Sequence, residues 1–211
     1  MQITLQKIYK PTDKVIIIGG GPSFKNIDKT KLKGHPIIGV NAAFRLKEVE
    51  VPINFSGDCR FVYWNIKELN NYKGDFITCC QDVKNHKKFL YVPLSHEPSI
   101  NPDDLSTIPW PYKNGIANSG ASAICLAIKM GAQQIYLLGY DGGPAKSQHH
   151  WHHYHKISPR LEVYKRFNKF FKIIAKEAKE LNIKIYNVNP KTKIPYFPTI
   201  TPSDFYAILS S

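Results

Sequence analysis

The chain has 211 residues, of which 43% are hydrophobic and 12% aromatic, enough for one compact domain with a real core and too apolar for a disordered tail. Its 29 Lys/Arg against 16 Asp/Glu give a net charge of +13, which disfavours an equally basic partner and favours nucleotides, nucleic acid, acidic glycans or a membrane surface. Residues 106–211 carry most of the excess, with 14 basic against 5 acidic residues.

In chain order, the first element is the apolar β-branched run VIIIGG at 15–20. A continuous run of this kind marks a strand buried on both faces, as in a parallel sheet covered by helices. Further strands are expected at 36–41, 53–58, 75–80 and 87–94. Residues 95–117, rich in Pro, Asn and Asp, read as a long loop or lid. A helix follows over 121–130, with Asn118 or Ser119 as its cap and Gly131 closing it. Next come a buried strand at 133–141 and a loop over 142–156 rich in Gly, Pro and His.

A long helix is expected from Ser158, with Pro159 in its first turn, to about Leu181. Tyr164, Phe167, Phe171, Ile174, Ala178 and Leu181 form its buried stripe, and Lys165, Lys169, Lys172, Lys176 and Lys179 repeat on another face. A last strand lies at 183–188, and the Pro-punctuated tail reads as irregular structure. Strands alternating with helices give an α/β fold with a mostly parallel sheet of five to seven strands and helices on both faces, in a single domain with a lid-like region.

No apolar run is long enough to span a membrane. The polar opening MQITLQKIYKPTDK lacks the apolar stretch of a signal peptide. Cys59, Cys79, Cys80 and Cys125 form no CxxC pair, and Cys79 adjoins Cys80. All four are expected to be reduced, mostly buried thiols of a cytoplasmic protein.

Four motifs can carry chemistry. Gly19, Gly20, Gly21, Pro22 and Ser23 form a glycine turn where the first strand ends, a place where backbone N–H groups cradle phosphates in such sheets. It matches neither a GxGxxG fingerprint nor a Walker loop, and a plain tight turn is the competing reading. Asn41 and Asp58 end the second and third strands and are either ligand contacts or turn-forming Asx residues. Asn118, Ser119 and Gly120 open a helix whose N-terminal N–H groups suit an anion, unless they serve only as its cap.

Asp141 ends a buried strand, and QHHWHHYH follows it closely. Five of the 8 histidines lie here: His149, His150, His152, His153 and His155. They suit acid/base work or phosphate contact better than metal ligation, because Asp141 is the one close carboxylate before Glu162 and no Cys is near. A solvated loop is the remaining reading. The lysine stripe on the long helix reads either as a solvated face or as a surface for an anionic acceptor.

VIIIGGGPSFKNID, a strand ending in Asn41, NSGASAICLAIKMGAQQIYLLGYDGG, a His-bearing loop, a long helix and NIKIYNVNP together resemble two related Rossmann-like families. One is the bacterial sialyltransferases of glycosyltransferase family 42. The other is typified by archaeal 6-hydroxymethylpterin pyrophosphokinases and includes short bacterial and phage members. The resemblance spans residues 14–198. It implies that Gly19, Gly21, Pro22, Ser23, Asn41, Ser119 and Gly120 hold a cytidine nucleotide sugar. A His between 149 and 155 would be the base, and no metal or other cofactor would be required. Gly20 stands where the sialyltransferases carry Asn, and Tyr140 or Tyr154 stands loosely for their phosphate-holding tyrosines.

The expected function is therefore sugar transfer from a nucleotide sugar to an anionic acceptor, such as lipopolysaccharide core or modified DNA. His155 is expected to be the base, with His150 and His152 positioning it or touching phosphate. Asp58, Asn118 and Asp141 join the nucleotide site. The alternatives are a pyrophosphokinase-like, ATP- and divalent-metal-dependent transferase, and a non-catalytic nucleotide-binding protein. Self-association into a homo-oligomer stays open.

Overall fold

The structure is a computed structural model that describes residues 13–111, 113, 115–144, 148–153 and 161–210. Its strands are β1 (Lys14–Ile18), β2 (Ile37–Val40), β3 (Ile53–Ser56), β4 (Asp75–Thr78), β5 (Phe89–Tyr91), β6 (Leu94–Ser95), β7 (Ile108–Pro109), β8 (Gln134–Leu138) and β9 (Lys184–Asn187). Its helices are α1 (Cys59–Asn70), α2 (Ser119–Lys129), α3 (Leu161–Glu180) and α4 (Pro202–Leu209). Seven strands form one parallel sheet in the order β5-β4-β3-β2-β1-β8-β9, and each expected strand segment supplies one of them.

The β-branched run of β1 explains its central place. Val15 and Ile17 face the layer of α2 and α3, while Ile16 and Ile18, beside Leu138 of β8, face Phe24 and, in α4, Phe205 on the other side. Both faces are thus apolar, and only a strand covered on both sides can bury them. The layer with α4 also includes short 3-10 turns after β1 and β2, and α1 covers β4 and β5. From β1 the chain builds outward to β5, then returns to β8 on the other flank of β1. The carboxyl ends of β1 and β8 therefore meet at the switch point, where open parallel sheets hold ligands.

Both sheet edges are short or covered. β5 has 3 residues, and Asn187 of β9 exchanges backbone hydrogen bonds with the chain at Pro198 and Ile200 (2.8 and 3.0 Å).

Four expectations need correction. The tail is not irregular throughout. Thr201 and Asp204 form a reciprocal capping box, Pro202 starts α4, and the buried Phe205 packs its ring 5.3 Å from Tyr136. Helix α1, capped by Asp58 and burying Phe61, Val62, Asn65 and Leu69, was not expected at all. Phe170, absent from the expected stripe of α3, is wholly buried, whereas Tyr164, Phe167 and Leu181 are partly exposed. Finally, Cys59 at the start of α1 and Cys80 after β4 form a disulfide with a Cα–Cα distance of 5.1 Å. The parallel pairing of β3 with β4 brings these two ends together, a closeness that sequence spacing hides. Cys79 and Cys125 are free and buried, as expected.

Within 95–117 the chain is tethered rather than free. The β6–β7 pair sits there, and Ile100, Ile108 and Ile116 enter the main core. Lys129, buried in α2, donates its ammonium to the carbonyls of Asn101 (2.8 Å) and Asp104. Burial pushes the Lys129 ammonium below its usual range, against the pull of Asp104. From α3, the Glu177 carboxylate accepts the Ile100 N–H at 2.6 Å.

Two outcomes follow. Denatured without reductant, the chain should titrate two thiols, and four after reduction. Lys129→Ala should cost roughly 1–3 kcal/mol by leaving two carbonyls unpaired and should open residues 100–108 to limited proteolysis. Wild-type thermal stability and digestion in that variant would contradict the tether.

Candidate functional site

The glycine turn continues the union of β1 and β8 past their ends. Gly19 N–H donates to Leu138 O and Gly21 N–H to Gly139 O, both at 2.8 Å. Ser23 then donates both its N–H (3.3 Å) and its hydroxyl (2.9 Å) to Oδ2 of Asp141, while Asn189 Nδ2 donates to Oδ1 at 3.0 Å. One carboxylate thus ties together the segments after β1, β8 and β9. A Cβ at Gly21 would fall 1.9 Å from Asp141 Oδ2, so only glycine allows the approach. Burial pushes the Asp141 carboxyl above the usual carboxylate range, opposed by the Ser23 and Asn189 hydrogen bonds and by Lys193.

The start of α2 forms the neighbouring wall. Tyr140 donates its hydroxyl to Gly120 O at 3.0 Å, and its ring lies against both Gly19 and Gly120. The glycine turn and the helix start are therefore neighbours, joined by one ring. Ser119 Oγ accepts the Gly57 N–H at 3.2 Å, which brings in the end of β3. Asn118 caps α2 through Oδ1, which accepts the Ala121 N–H at 2.8 Å. Its Nδ2 is buried without a hydrogen-bond partner at the same helix start. Asn41 adopts a left-handed backbone, with φ of 52°. Its Oδ1 accepts from Ser56 Oγ (2.8 Å) and its carbonyl from Asn54 Nδ2 (2.9 Å).

The histidine segment closes over the glycine turn. Trp151 donates its backbone N–H to Gly20 O (3.0 Å) and its indole N–H to Gly19 O (2.9 Å). His150 and His152 flank it with rings stacked 5.3 Å apart. A Cβ at Gly20 would lie 3.1 Å from His150 Nδ1 and 3.8 Å from His152 Nε2. Both imidazoles thus stand at the turn. His149 pairs with the Tyr164 hydroxyl at 3.2 Å, and His153 is exposed.

Comparison of folds bears on this arrangement. The chain is similar to CstII, a sialyltransferase from Campylobacter jejuni whose structure holds cytidine-5'-monophosphate, with 20% identity over 91% of this chain and 86% of that one and a TM-score of 0.55. It is also similar to the monofunctional alpha-2,3-sialyltransferase Cst-I of C. jejuni, with 16% identity, 90% and 81% coverage and a TM-score of 0.61. A CST-II structure with a trisaccharide acceptor and CMP matches at 20% identity, 90% and 86% coverage and a TM-score of 0.52. The chain has the sialyltransferase fold. No protein-family model and no curated protein sequence matches it.

On the sialyltransferase fold, the structure gathers Gly19, Gly20, Gly21, Ser23, Ser119, Gly120 and Asp141 with His150 and His152 at the β1–β8 switch point. Pro22 is buried at the start of the 3-10 turn that follows. Asp58 caps α1 through the Arg60 N–H and pairs with the Arg60 side chain at 3.2 Å, which is the turn-forming use of an Asx residue. Tyr140 is 4% exposed with its hydroxyl committed to Gly120, so its part is to join two walls rather than to hold phosphate. His155, Tyr154, Ser158 and Pro159 lie outside the described residues. Sequence reasoning missed Trp151 as the anchor of the histidine segment and Asn189 as a partner of Asp141. The bulk of a lone Trp among five histidines was the available signal for the first.

The Asp141 latch has a pH signature. Its folded-state pKa is raised, so the folded chain holds this proton to higher pH than the unfolded one. The stability it contributes is present below the ordinary carboxylate value, about 4, and is lost as pH rises through the raised value. Melting curves between pH 3.5 and 7 should show wild type losing stability relative to Asp141→Asn with rising pH. Parallel curves would show that Asp141 carries no such shift.

Proposed function

We propose that the protein is a nucleotide-sugar-dependent glycosyltransferase of the sialyltransferase type. It takes a cytidine nucleotide sugar as donor and an anionic acceptor, such as lipopolysaccharide core or modified DNA. The observation that carries the reading is the buried, unpartnered Nδ2 of Asn118 at the start of α2. A buried donor without an acceptor is costly and calls for a ligand that supplies one. Beside it stand the Ser119 and Gly120 N–H groups, which open α2 ahead of its first capped N–H at Ala121, and the positive end of the helix dipole, which suit a phosphate. The likeness in fold to CstII, whose structure holds cytidine-5'-monophosphate, supports the same choice of ligand.

In this reading an acceptor hydroxyl attacks the anomeric carbon while a histidine takes its proton. The bond from that carbon to the phosphate oxygen breaks, and the nucleotide monophosphate leaves. Negative charge grows on the departing oxygen, where Asn118 Nδ2 and the α2 N–H groups stabilise it. His155 is the proposed base, and His150 and His152, stacked at Gly20, position it or touch the phosphate. No metal takes part in these steps. Lys165, Lys169, Lys172, Lys176 and Lys179 are all exposed on α3 and draw an anionic acceptor towards the protein in a salt-dependent way. No helix of the described residues is long and apolar enough to cross a membrane.

The test is a thermal-shift comparison of CMP, CDP, UDP, GDP and ATP, followed by turnover with a CMP-sugar. CMP at about 100 times its Kd should stabilise the fold by about 2.7 kcal/mol, or roughly 5–10 °C. His155→Ala should lower turnover by about 10²–10⁴ with CMP affinity unchanged, and EDTA should have no effect. Silence across the nucleotide panel, or wild-type turnover in the His150→Ala, His152→Ala and His155→Ala variants, would refute the reading.

A further inference from the structure

On the face of the sheet opposite α3, behind the glycine turn, lies a cavity of about 380 Å³. It falls at the small end of the roughly 300–1,000 Å³ typical of small-ligand sites. Its apolar walls are Phe24, Leu46 and Trp151, and Lys25, Lys29 and Lys47 stand around them. The Phe24 and Trp151 ring centroids are 5.4 Å apart, and Lys29 Nζ lies 5.2 Å from the centre of the Phe24 ring.

The charges around this cavity do not cancel. Arg45, which also lines it, is committed to Glu68 at 2.6 Å and to Asn65. Asp28, on the neighbouring turn, accepts from the N–H and hydroxyl of Thr30 and interacts electrostatically with Lys29 and Lys31, but it does not line the cavity. Glu48 is the one lining carboxylate, and it accepts the Lys47 N–H at 3.2 Å. The lining thus holds three ammonium groups to one carboxylate, and even with Asp28 counted nearby the cations are in excess, which favours an anion. The indole N–H of Trp151 is spent on Gly19 O. Trp151 thus offers ring surface and no donor, so it meets the C–H face of a ring rather than reading polar edges. Aromatic surface with cations at its border suits a sugar that carries an acid group.

Position supports the same occupant. Trp151 lies between His150 and His152 in the chain and is bonded through its backbone to Gly20. A molecule resting on Trp151 is therefore next to the segment that holds the histidines. The lysines of α3 are on the other face of the sheet and form an exposed row, which attracts a polyanion without orienting it.

We propose that this cavity is an acceptor subsite that takes an acidic pyranose, carboxylated or phosphorylated, with its ring against Trp151 and its acid group among Lys25, Lys29 and Lys47. The acceptor role rests on the glycosyltransferase reading above, but the binding of an acidic sugar does not.

The experiment titrates the full chain calorimetrically with trigalacturonate, glucose 6-phosphate and neutral maltotriose, and separately with CMP. An acidic sugar should bind, and maltotriose should not. Trigalacturonate and glucose 6-phosphate distinguish a carboxylate from a phosphate ligand. The triple variant Lys25→Ala, Lys29→Ala, Lys47→Ala should lose at least about tenfold in acidic-sugar affinity and keep its CMP affinity and circular dichroism. The α3 variant Lys169→Ala, Lys172→Ala, Lys176→Ala, which removes only general attraction, should lose less acidic-sugar affinity than the cavity variant. The proposal is overturned if both acidic sugars are silent, if maltotriose binds equally well, if the cavity variant binds like wild type, or if the α3 variant loses as much affinity as the cavity variant. Lysine-dependent sugar binding with no CMP binding would uphold the site and overturn its role as an acceptor subsite.

Discussion

The Asp141 carboxylate is the constraint on which the site depends. Each of its oxygens accepts from a different segment, Ser23 after β1 on one side and Asn189 after β9 on the other. A parallel sheet leaves the loops at its carboxyl end without ladder partners, so something else must fix them. Here one partly buried carboxylate does so, and its elevated pKa is the electrostatic cost of that position. The glycine at position 21 is a steric consequence of the same contact. Tyr140, the next residue back along the chain, uses its ring and hydroxyl to join the glycine turn to α2. Two adjacent residues thus assemble three of the four walls, and the histidine segment, bonded through Trp151 to Gly19 and Gly20, completes the fourth.

Fixing these loops leaves a division of labour across the sheet. An unspent donor, Asn118 Nδ2, lies at the start of α2. Aromatic surface and ammonium groups collect behind the glycine turn, around Trp151. His150 and His152 stand at Gly20, on either side of Trp151 in the chain. In the proposed transfer, donor phosphate and acceptor acid group would be held by different groups, amide and backbone N–H at α2 and ammonium around Trp151, and the distance between them would lessen their repulsion.

The sheet was legible because its strands are buried on both faces and so stand out as apolar β-branched runs, as in VIII of β1 and YLL of β8. The cap of α2 was legible because Asn118 and Gly131 bracket an unbroken small and apolar segment. Helix α1 was hidden because its buried Phe61, Val62 and Leu69 are mixed with the exposed Tyr63 and Trp64. The capping box of α4 was readable in Thr201, Pro202 and Asp204, but four prolines between 190 and 202 masked it as a loop. At the site, residue types and strand ends were visible, whereas partners were not. That Asp141 reaches Ser23, or Cys59 reaches Cys80, depends on strand order, which spacing along one chain does not encode.

The borders of the sheet have a consequence for how the chain behaves in a crowd of its own copies. Unpaired strand edges are templates for pairing with another molecule, and long flat ones seed aggregates. β5 offers only 3 residues, too short a ladder to nucleate growth. At the other border the segment around Thr199 already lies along β9 and occupies Asn187. Extension of this sheet by another copy is therefore disfavoured at β5 and at the Asn187 end of β9.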